Sequence, residues 1–236
     1  MLLKVRVDVL VDDYLSERGV AAGALPAHGL GLYVEAQTDD GRSVSVLVDG
    51  GPLLEVLAHN CEALGVSLSG VGAAVAGMWS AHHVAALLKL ARVGGVRRVY
   101  LPPPPRERAR PGWEEVSDLG LVLLQLEAPL YKERLVLLDA SDGYVAIAPC
   151  SAYGVDLALR ALGEFEEARG KRVKALVGGF NVSTFSLYDL RLLLKYAKAR
   201  GATLVPLHST SLEAREWICE RTGLEEVPGV GLRLEL

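Results

Sequence analysis

The order in which strand-like and helix-like patterns follow one another constrains the fold most strongly. Residues 2–49 form three runs with strand periodicity, and strand–helix units follow them. A second strand-rich stretch, residues 121–148, is again followed by strand–helix units up to residue 236. Each half therefore begins with strands and ends in β/α units. This order predicts an α/β fold, a four-layer αββα sandwich with two facing sheets and helices outside both, formed as a single domain over residues 1–236.

Turn and cap residues mark several element boundaries. Asp40 and Gly41 suit a hairpin turn between the second and third strands. Pro52 is expected in the first turn of the helix that follows, and Gly65 at the end of that helix. The proline-rich stretch 102–113 predicts a surface loop, because consecutive prolines cannot continue a strand ladder.

Two further caps are expected. Ser80 stands where the N-cap of a helix over about 82–93 belongs. Thr210 and Glu213 have the spacing of a capping box at the start of the last helix.

Composition narrows the range of partners. The net charge of −4 and the pI of about 5.8 provide no broad cationic field, so no nucleic-acid partner is expected. No uncharged apolar run is long enough to span a membrane and the start of the chain does not resemble a signal peptide, so a cytoplasmic location without membrane association is expected. Cys61, Cys150 and Cys219 are widely spaced and are expected to be reduced thiols. The scarcity of Asn and Gln is typical of proteins from hot environments.

Two adjacent histidines are the most unusual local feature. The chain has five histidines, and His82 and His83 stand together in "GMWSAHHVAAL", residues 77–87, directly after a buried-looking strand. With Ser80 as N-cap, both imidazoles fall in the first helical turn. The positive end of the helix dipole disfavours protonated imidazole there, which predicts neutral side chains able to bind a metal.

Several segments together carry a family resemblance. They are "LPAHGLGLYVEA", "VLVDGGPLLEVLAHNCEALGVSLSGVGAAVAGMWSAHHVAALLKL", "APCSAYGV", "VGGFNV" and "VPLHST". In this order they resemble the metallo-β-lactamase superfamily, and more narrowly the branch that contains dihydropterin–ribofuranosylaminobenzene phosphate synthase. That branch carries "EHGLS", "FDTG", "SHGHYDHTGGL", "GCSHAGI", "GGFHL" and "PxHCTG" at the corresponding places. The resemblance covers nearly the whole chain and implies the αββα fold.

The resemblance also implies that the first of the family's two metal positions has been lost. The family loop H-x-H-x-D-H corresponds to Met78, Ser80, His82 and His83, and the histidine of "GCSHAGI" corresponds to Ala152. A thioether, a hydroxyl and a methyl group are not useful zinc ligands. The shared hydroxide of a two-metal hydrolase therefore has no place to form.

The second metal position keeps its ligands in altered form. By the same resemblance it corresponds to His82, His83 and His208, and three histidines with an open fourth position are a known catalytic zinc arrangement. The expected cofactor is therefore either none or one zinc or iron ion. Because histidine is longer than the aspartate it replaces, His82 could instead overshoot this position and only form hydrogen bonds at a pocket wall.

Other residues are expected around the pocket. By the resemblance, Asp49 organises the metal loop through hydrogen bonds from behind, and Asn181 replaces a family histidine. His28 either faces the pocket or is structural, and Cys150 is either a pocket residue or a small buried thiol. The pocket itself is expected where four loops meet, at residues 77–83, 149–154, 179–184 and 207–210.

Three functions remain open from the sequence. The leading expectation is a protein that has lost dinuclear hydrolase activity and keeps a pocket for a small phosphorylated or heterocyclic ligand. The second is a mononuclear metalloenzyme, hydrolase-like or pterin-synthase-like, built on His82, His83 and His208. The third is a structural or scaffolding protein, which a partner chain at fixed stoichiometry would reveal.

Overall fold

The computed structural model describes residues 2–107, 110–127 and 132–236. In chain order the elements are β1 Leu2–Val11, α1 Glu17–Ala22, β2 Gly31–Thr38, β3 Ser43–Asp49, α2 Leu54–Leu64, β4 Ala73–Val75, α3 Ala81–Arg92, β5 Val99–Tyr100, β6 Gly112–Val116, a short 3-10 helix Ser117–Leu119, β7 Leu121–Gln125, β8 Arg134–Ala140, β9 Gly143–Ala148, α4 Val155–Arg169, β10 Val173–Gly178, α5 Leu187–Arg200, β11 Thr203–Pro206, α6 Leu212–Thr222 and β12 Arg233–Glu235.

The strands form two halves of one long sheet. In the first half β1, β2 and β3 are antiparallel, β4 and β5 continue in parallel from β3, and β12 pairs antiparallel with β1. In the second half β6 to β9 are antiparallel, and β10 and β11 continue in parallel from β9. The halves meet where Leu2 of β1 pairs with Ala140 of β8. Each half thus combines a meander with β/α units.

Three apolar interfaces separate four layers. Between the two half-sheets, buried side chains of β1 to β4 face those of β7 to β11, for example Val7 and Ile147. A second cluster, around Leu162 and Phe165, packs α4, α5 and α6 on the outer face of the second half. A third, around Leu57 and Leu87, packs α2 and α3 on the outer face of the first half. The predicted αββα sandwich is confirmed.

Turn chemistry explains the β2–β3 hairpin. The Thr38 N–H donates to the Arg42 carbonyl at 2.8 Å, and the Gly41 N–H donates to the Thr38 carbonyl at 3.0 Å. Gly41 has a φ of 82°, a left-handed conformation that glycine adopts without steric cost. The predicted Asp40–Gly41 turn is confirmed.

Several predicted boundaries were wrong. Pro52 lies before α2 rather than in its first turn, because the helix begins at Leu54 with Leu53 as its N-cap. The predicted loop 102–113 runs into strand β6, whose backbone pairs with β7; residues 108–109 of that loop lie outside the described residues. Helix α1 was not predicted, since six residues show less than two turns of periodicity.

The two caps expected at Ser80 and Thr210 also differ. The N-cap of α6 is Ser211, whose hydroxyl accepts from the Ala214 N–H, rather than Thr210. Ser80 occupies the N-cap position of α3, but its hydroxyl forms no cap bond to the backbone. It pairs instead with His82 Nδ1 at 2.7 Å. Within the described residues, each helix is too short or too polar to cross a bilayer.

Candidate metal centre

The four loops expected to form a pocket contact one another at one end of the sandwich. The Ser209 hydroxyl donates to the Cys150 carbonyl at 3.0 Å, and the Asn181 N–H donates to the Ser209 hydroxyl at 3.0 Å. Gly77 packs so closely on Pro149 that an added Cβ would lie 2.6 Å from the proline Cβ. Strand ends from both half-sheets therefore supply the same site.

Four of the five histidines gather there. The ring centroids of His82 and His83 are 4.6 Å apart, and the His208 ring lies 5.0 Å from His83 and 5.3 Å from His82. His28 lies 4.8 Å from both His82 and His208. His59 is elsewhere, on α2, with its Nε2 at 3.0 Å from the Gly23 carbonyl. The structure thus brings His28 to the three histidines that the resemblance selected.

Asp49 orients His83 from behind. This fully buried carboxylate ends β3, accepts the Gly77 N–H at 2.7 Å, and contacts His83 Nδ1 at 2.8 Å. Because Nδ1 of His83 contacts Asp49, its Nε2 points away from this carboxylate. A carboxylate behind an imidazole fixes the ring and raises its basicity, which is the usual support of a metal-binding histidine.

Asp13 orients two further histidines and was not predicted. Its carboxylate contacts His208 Nδ1 at 3.1 Å and His28 Nδ1 at 2.9 Å, and it accepts the Ser209 N–H at 3.1 Å. The signal available in the sequence was the acidic pair Asp12–Asp13 directly after β1. The two carboxylates have different roles, because Asp12 forms a fully buried ion pair with Arg215.

Two buried imidazole nitrogens have no hydrogen-bond partner among the described residues. They are Nε2 of His83 and Nε2 of His208. Ligand atoms of His83, Cys150 and His208 all lie within 4.8 Å of one another, and we name these three residues the inner group. Ligand atoms of His28, His82 and His208 satisfy the same limit, and we name them the outer group. His208 belongs to both groups.

The inner group is electrostatically unusual. Burial alone would raise the pKa of the Cys150 thiol, but the neighbouring imidazoles of His208, His82 and His83 outweigh burial and lower it to about 4. Burial alone would lower the pKa of His83, but Asp49, helped by Cys150, outweighs burial and raises it to about 9. At neutral pH the metal-free site therefore holds a thiolate close to an imidazolium. The expectation that the helix N-terminus keeps His83 neutral was wrong, because the buried Asp49 charge dominates.

Glu133 fixes the Cys150 loop. Its buried carboxylate accepts the backbone N–H groups of Cys150 at 3.2 Å, Ser151 at 2.6 Å and Ala152 at 2.9 Å. Burial, together with the nearby Cys150 thiolate, raises the pKa of Glu133 to about 7 despite these three donors. Sequence reasoning missed this residue, because a glutamate just before a strand resembles an ordinary surface charge.

Comparison with known proteins concerns structure alone, since no family model and no curated protein matches this sequence. Tm1679, a metal-dependent hydrolase of the β-lactamase superfamily, superposes with a TM-score of 0.63 over 98% of this chain and 99% of its own, at 20% identity. The chain has the metallo-β-lactamase fold. The long form of RNase Z from yeast superposes with a TM-score of 0.50 over 88% of this chain and 37% of its own, at 10% identity. At these identities the likeness shows the fold.

The remaining residues predicted for the site of this metallo-β-lactamase fold lie on the expected loops without supplying a ligand atom. Met78 is buried, Ala152 contributes its backbone N–H to Glu133, and Asn181 is exposed with a φ of 49°. The Ser80 hydroxyl is occupied by His82. None of these side chains carries an imidazole, a thiolate or a carboxylate, so potential ligands come from the histidines and Cys150.

The inner group fits the metal that the metallo-β-lactamase fold implies. Imidazole and thiolate are the preferred ligands of zinc, and two buried Nε2 atoms without partners face the Cys150 thiolate. A buried polar atom without a partner costs free energy, which a bound cation would recover. The predicted set of His82, His83 and His208 is divided between the two groups: His83 and His208 lie beside Cys150 in the inner group, and His82 lies beside His208 in the outer group.

Proposed function

We propose that the protein is a mononuclear metal-dependent enzyme of hydrolytic type, with one zinc-like ion held by His83, Cys150 and His208. The observation that carries this proposal is the pair of buried, unpartnered Nε2 atoms, each on a ring anchored by a carboxylate at Nδ1. A metal-free ligand pocket, the leading expectation from the sequence, gives no reason for this arrangement. The geometry therefore favours the second expectation over the first.

The proposal keeps the loss of the dinuclear arrangement. Met78, Ser80 and Ala152 stand where the resemblance places three histidines, and none offers a zinc ligand. The thiolate of Cys150 completes a three-ligand set for a single ion. A metal held by this set would supply an activated water at neutral pH or polarise a carbonyl or phosphoryl oxygen.

Residues of the chain would then orient and protonate a substrate. His82 is half-buried between the inner group and His28, with Nδ1 next to the Ser80 hydroxyl, so its imidazole is placed to exchange a proton with a substrate at the site.

Metal analysis tests the proposal. Protein prepared without a histidine tag is expected to contain about one equivalent of metal, as one three-ligand site requires. His208→Ala and Cys150→Ser are expected to lose the metal, whereas the matched control His59→Ala, a histidine outside the site, keeps it. The loaded protein is then assayed with carboxylic esters, thioesters and phosphodiesters.

Three results would contradict the proposal. The first result is that excess zinc, iron or manganese neither binds nor changes the melting temperature. This result would favour a metal-free ligand pocket, since a ligand that binds the native state must raise its stability. A requirement for two equivalents of bound metal for turnover would indicate dinuclear chemistry. A loaded but inactive protein that co-purifies with a partner chain at fixed stoichiometry would indicate a scaffold.

A further inference from the structure

We infer that the outer group is a capture position, which takes a metal ion from solvent and passes it to the inner group through His208. This inference rests on the proposed metal centre and adds the route by which the centre is filled. A single site held by the inner group does not require that the exposed His28, together with His82, form a second group on the shared His208. The outer group therefore needs its own explanation.

The solvent exposure of the side chains falls from the outer group to the inner group. The His28 side chain is 71% exposed, whereas those of His208 and His83 are 1% and 0% exposed. His82 lies between these extremes. An ion arriving from solvent therefore meets His28 and His82 first, and the buried inner ligands afterwards.

The position of His28 is fixed by the fold. Its Nδ1 contacts Asp13 at 2.9 Å, and Asp13 also holds His208. On the other side, Gly29 has a φ of 150° and packs so tightly on α3 that an added Cβ would lie 2.0 Å from the His82 carbonyl oxygen. A surface histidine without a role needs neither restraint. Both restraints hold the His28 ring against the His82 ring.

The shared residue gives the direction of transfer. Because Nδ1 of His208 contacts Asp13, we take its unpartnered Nε2 as the ligand atom in both groups, so the two groups cannot both be complete. In the transfer, the bonds from the metal to His28 and His82 are replaced by bonds to His83 Nε2 and Cys150 Sγ, while His208 stays bound and the proton of His83 leaves to solvent. Because a thiolate binds zinc more strongly than a third imidazole does, the ion ends in the inner group.

Cobalt provides a kinetic test with an optical readout. Co²⁺ is mixed rapidly with metal-free, full-length protein, and the near-ultraviolet cobalt–thiolate absorption reports when the ion reaches Cys150. His28→Ala is expected to slow this signal about tenfold while its final amplitude and the stoichiometry stay unchanged. Gly29→Ala is expected to slow it as well, because the His28 loop must move away from α3.

Control variants separate the possible failures. His59→Ala is expected to match the wild type, and Cys150→Ser, which lacks the thiol, is expected to give no thiolate signal. An unchanged rate in His28→Ala would refute capture while leaving the metal centre intact. If His28→Ala reduced the final amplitude as much as His208→Ala does, His28 would be a permanent ligand, and this result would also refute capture. A wild type that binds no Co²⁺ would overturn both this inference and the proposed function.

Discussion

Replacement of Asp49 by asparagine tests the electrostatics of the site without involving catalysis. Asp49 and His83 are both fully buried, and their contact is 2.8 Å long. Burial lowers the pKa of His83, but Asp49 and, to a smaller extent, Cys150 more than offset this and raise it from 6.5 to about 9. At about 1.4 kcal/mol for each pKa unit, this difference corresponds to roughly 3 kcal/mol of native-state stability.

The sign of the pH dependence follows from the raised pKa. The stability that protonated His83 contributes is fully present below pH 6.5 and is lost as the pH rises through about 9. Asp49→Asn is therefore expected to lower the free energy of unfolding by roughly 3 kcal/mol at about pH 6, and by much less at about pH 9.5. Urea unfolding of the metal-free protein, with a chelator present, measures both values.

A surface ion pair provides the matched control. Asp118→Asn removes the partner of Arg98 at an exposed site and is expected to change the free energy of unfolding little at either pH. If the loss in Asp49→Asn were the same at both pH values, or larger at the higher one, the assigned His83–Asp49 coupling would be wrong.

Three further changes are predicted. Asp12→Ala leaves Arg215 buried without its partner and is expected to cost about 3–5 kcal/mol in urea unfolding, against almost nothing for the exposed Glu220→Ala. Phe165→Ala opens a cavity under α4 and is expected to cost about 3–5 kcal/mol, whereas a cost below about 1 kcal/mol would contradict the packing of that layer. Glu133→Gln removes an acceptor oxygen from the Cys150 loop and is expected to weaken zinc binding about 10–100-fold in chelator competition, with His59→Ala as the unaffected control.

Most of the fold was predictable because its signals are local. The periodicity of β1, the Asp40–Gly41 turn and the glycine that ends α2 each depend on a few neighbouring residues. Helix α1 and strand β6 were missed for the same reason, since a six-residue helix and a strand next to a proline run give weak local patterns.

The site was less predictable because its decisive contacts join distant parts of the chain. Asp13 reaches His208 across 195 positions, and Glu133 holds the Cys150 loop from 17 positions away. Neither carboxylate differs in its local sequence from a solvated charge. Family resemblance directed attention to Ala152, two residues beyond Cys150, so the thiol was considered only as a pocket or packing residue. Its closeness to His83 and His208 requires the tertiary structure.

The charge of the site explains why a thiolate suits this position. Three histidines alone would leave a dication without a negative ligand. In the inner group the Cys150 thiolate would be a negative ligand, and Asp49 and Asp13 stand behind the imidazoles of His83 and His208. In the metal-free protein, Asp49 and Asp13 raise the pKa values of His83 and His208 against the effect of burial. One dication therefore takes the place of the proton that His83 holds below about pH 9. Zinc binding in that range is expected to release this proton and to tighten as the pH rises. A pH indicator in weakly buffered solution measures this release, and binding without any released proton would refute the assignment of His83 as a ligand.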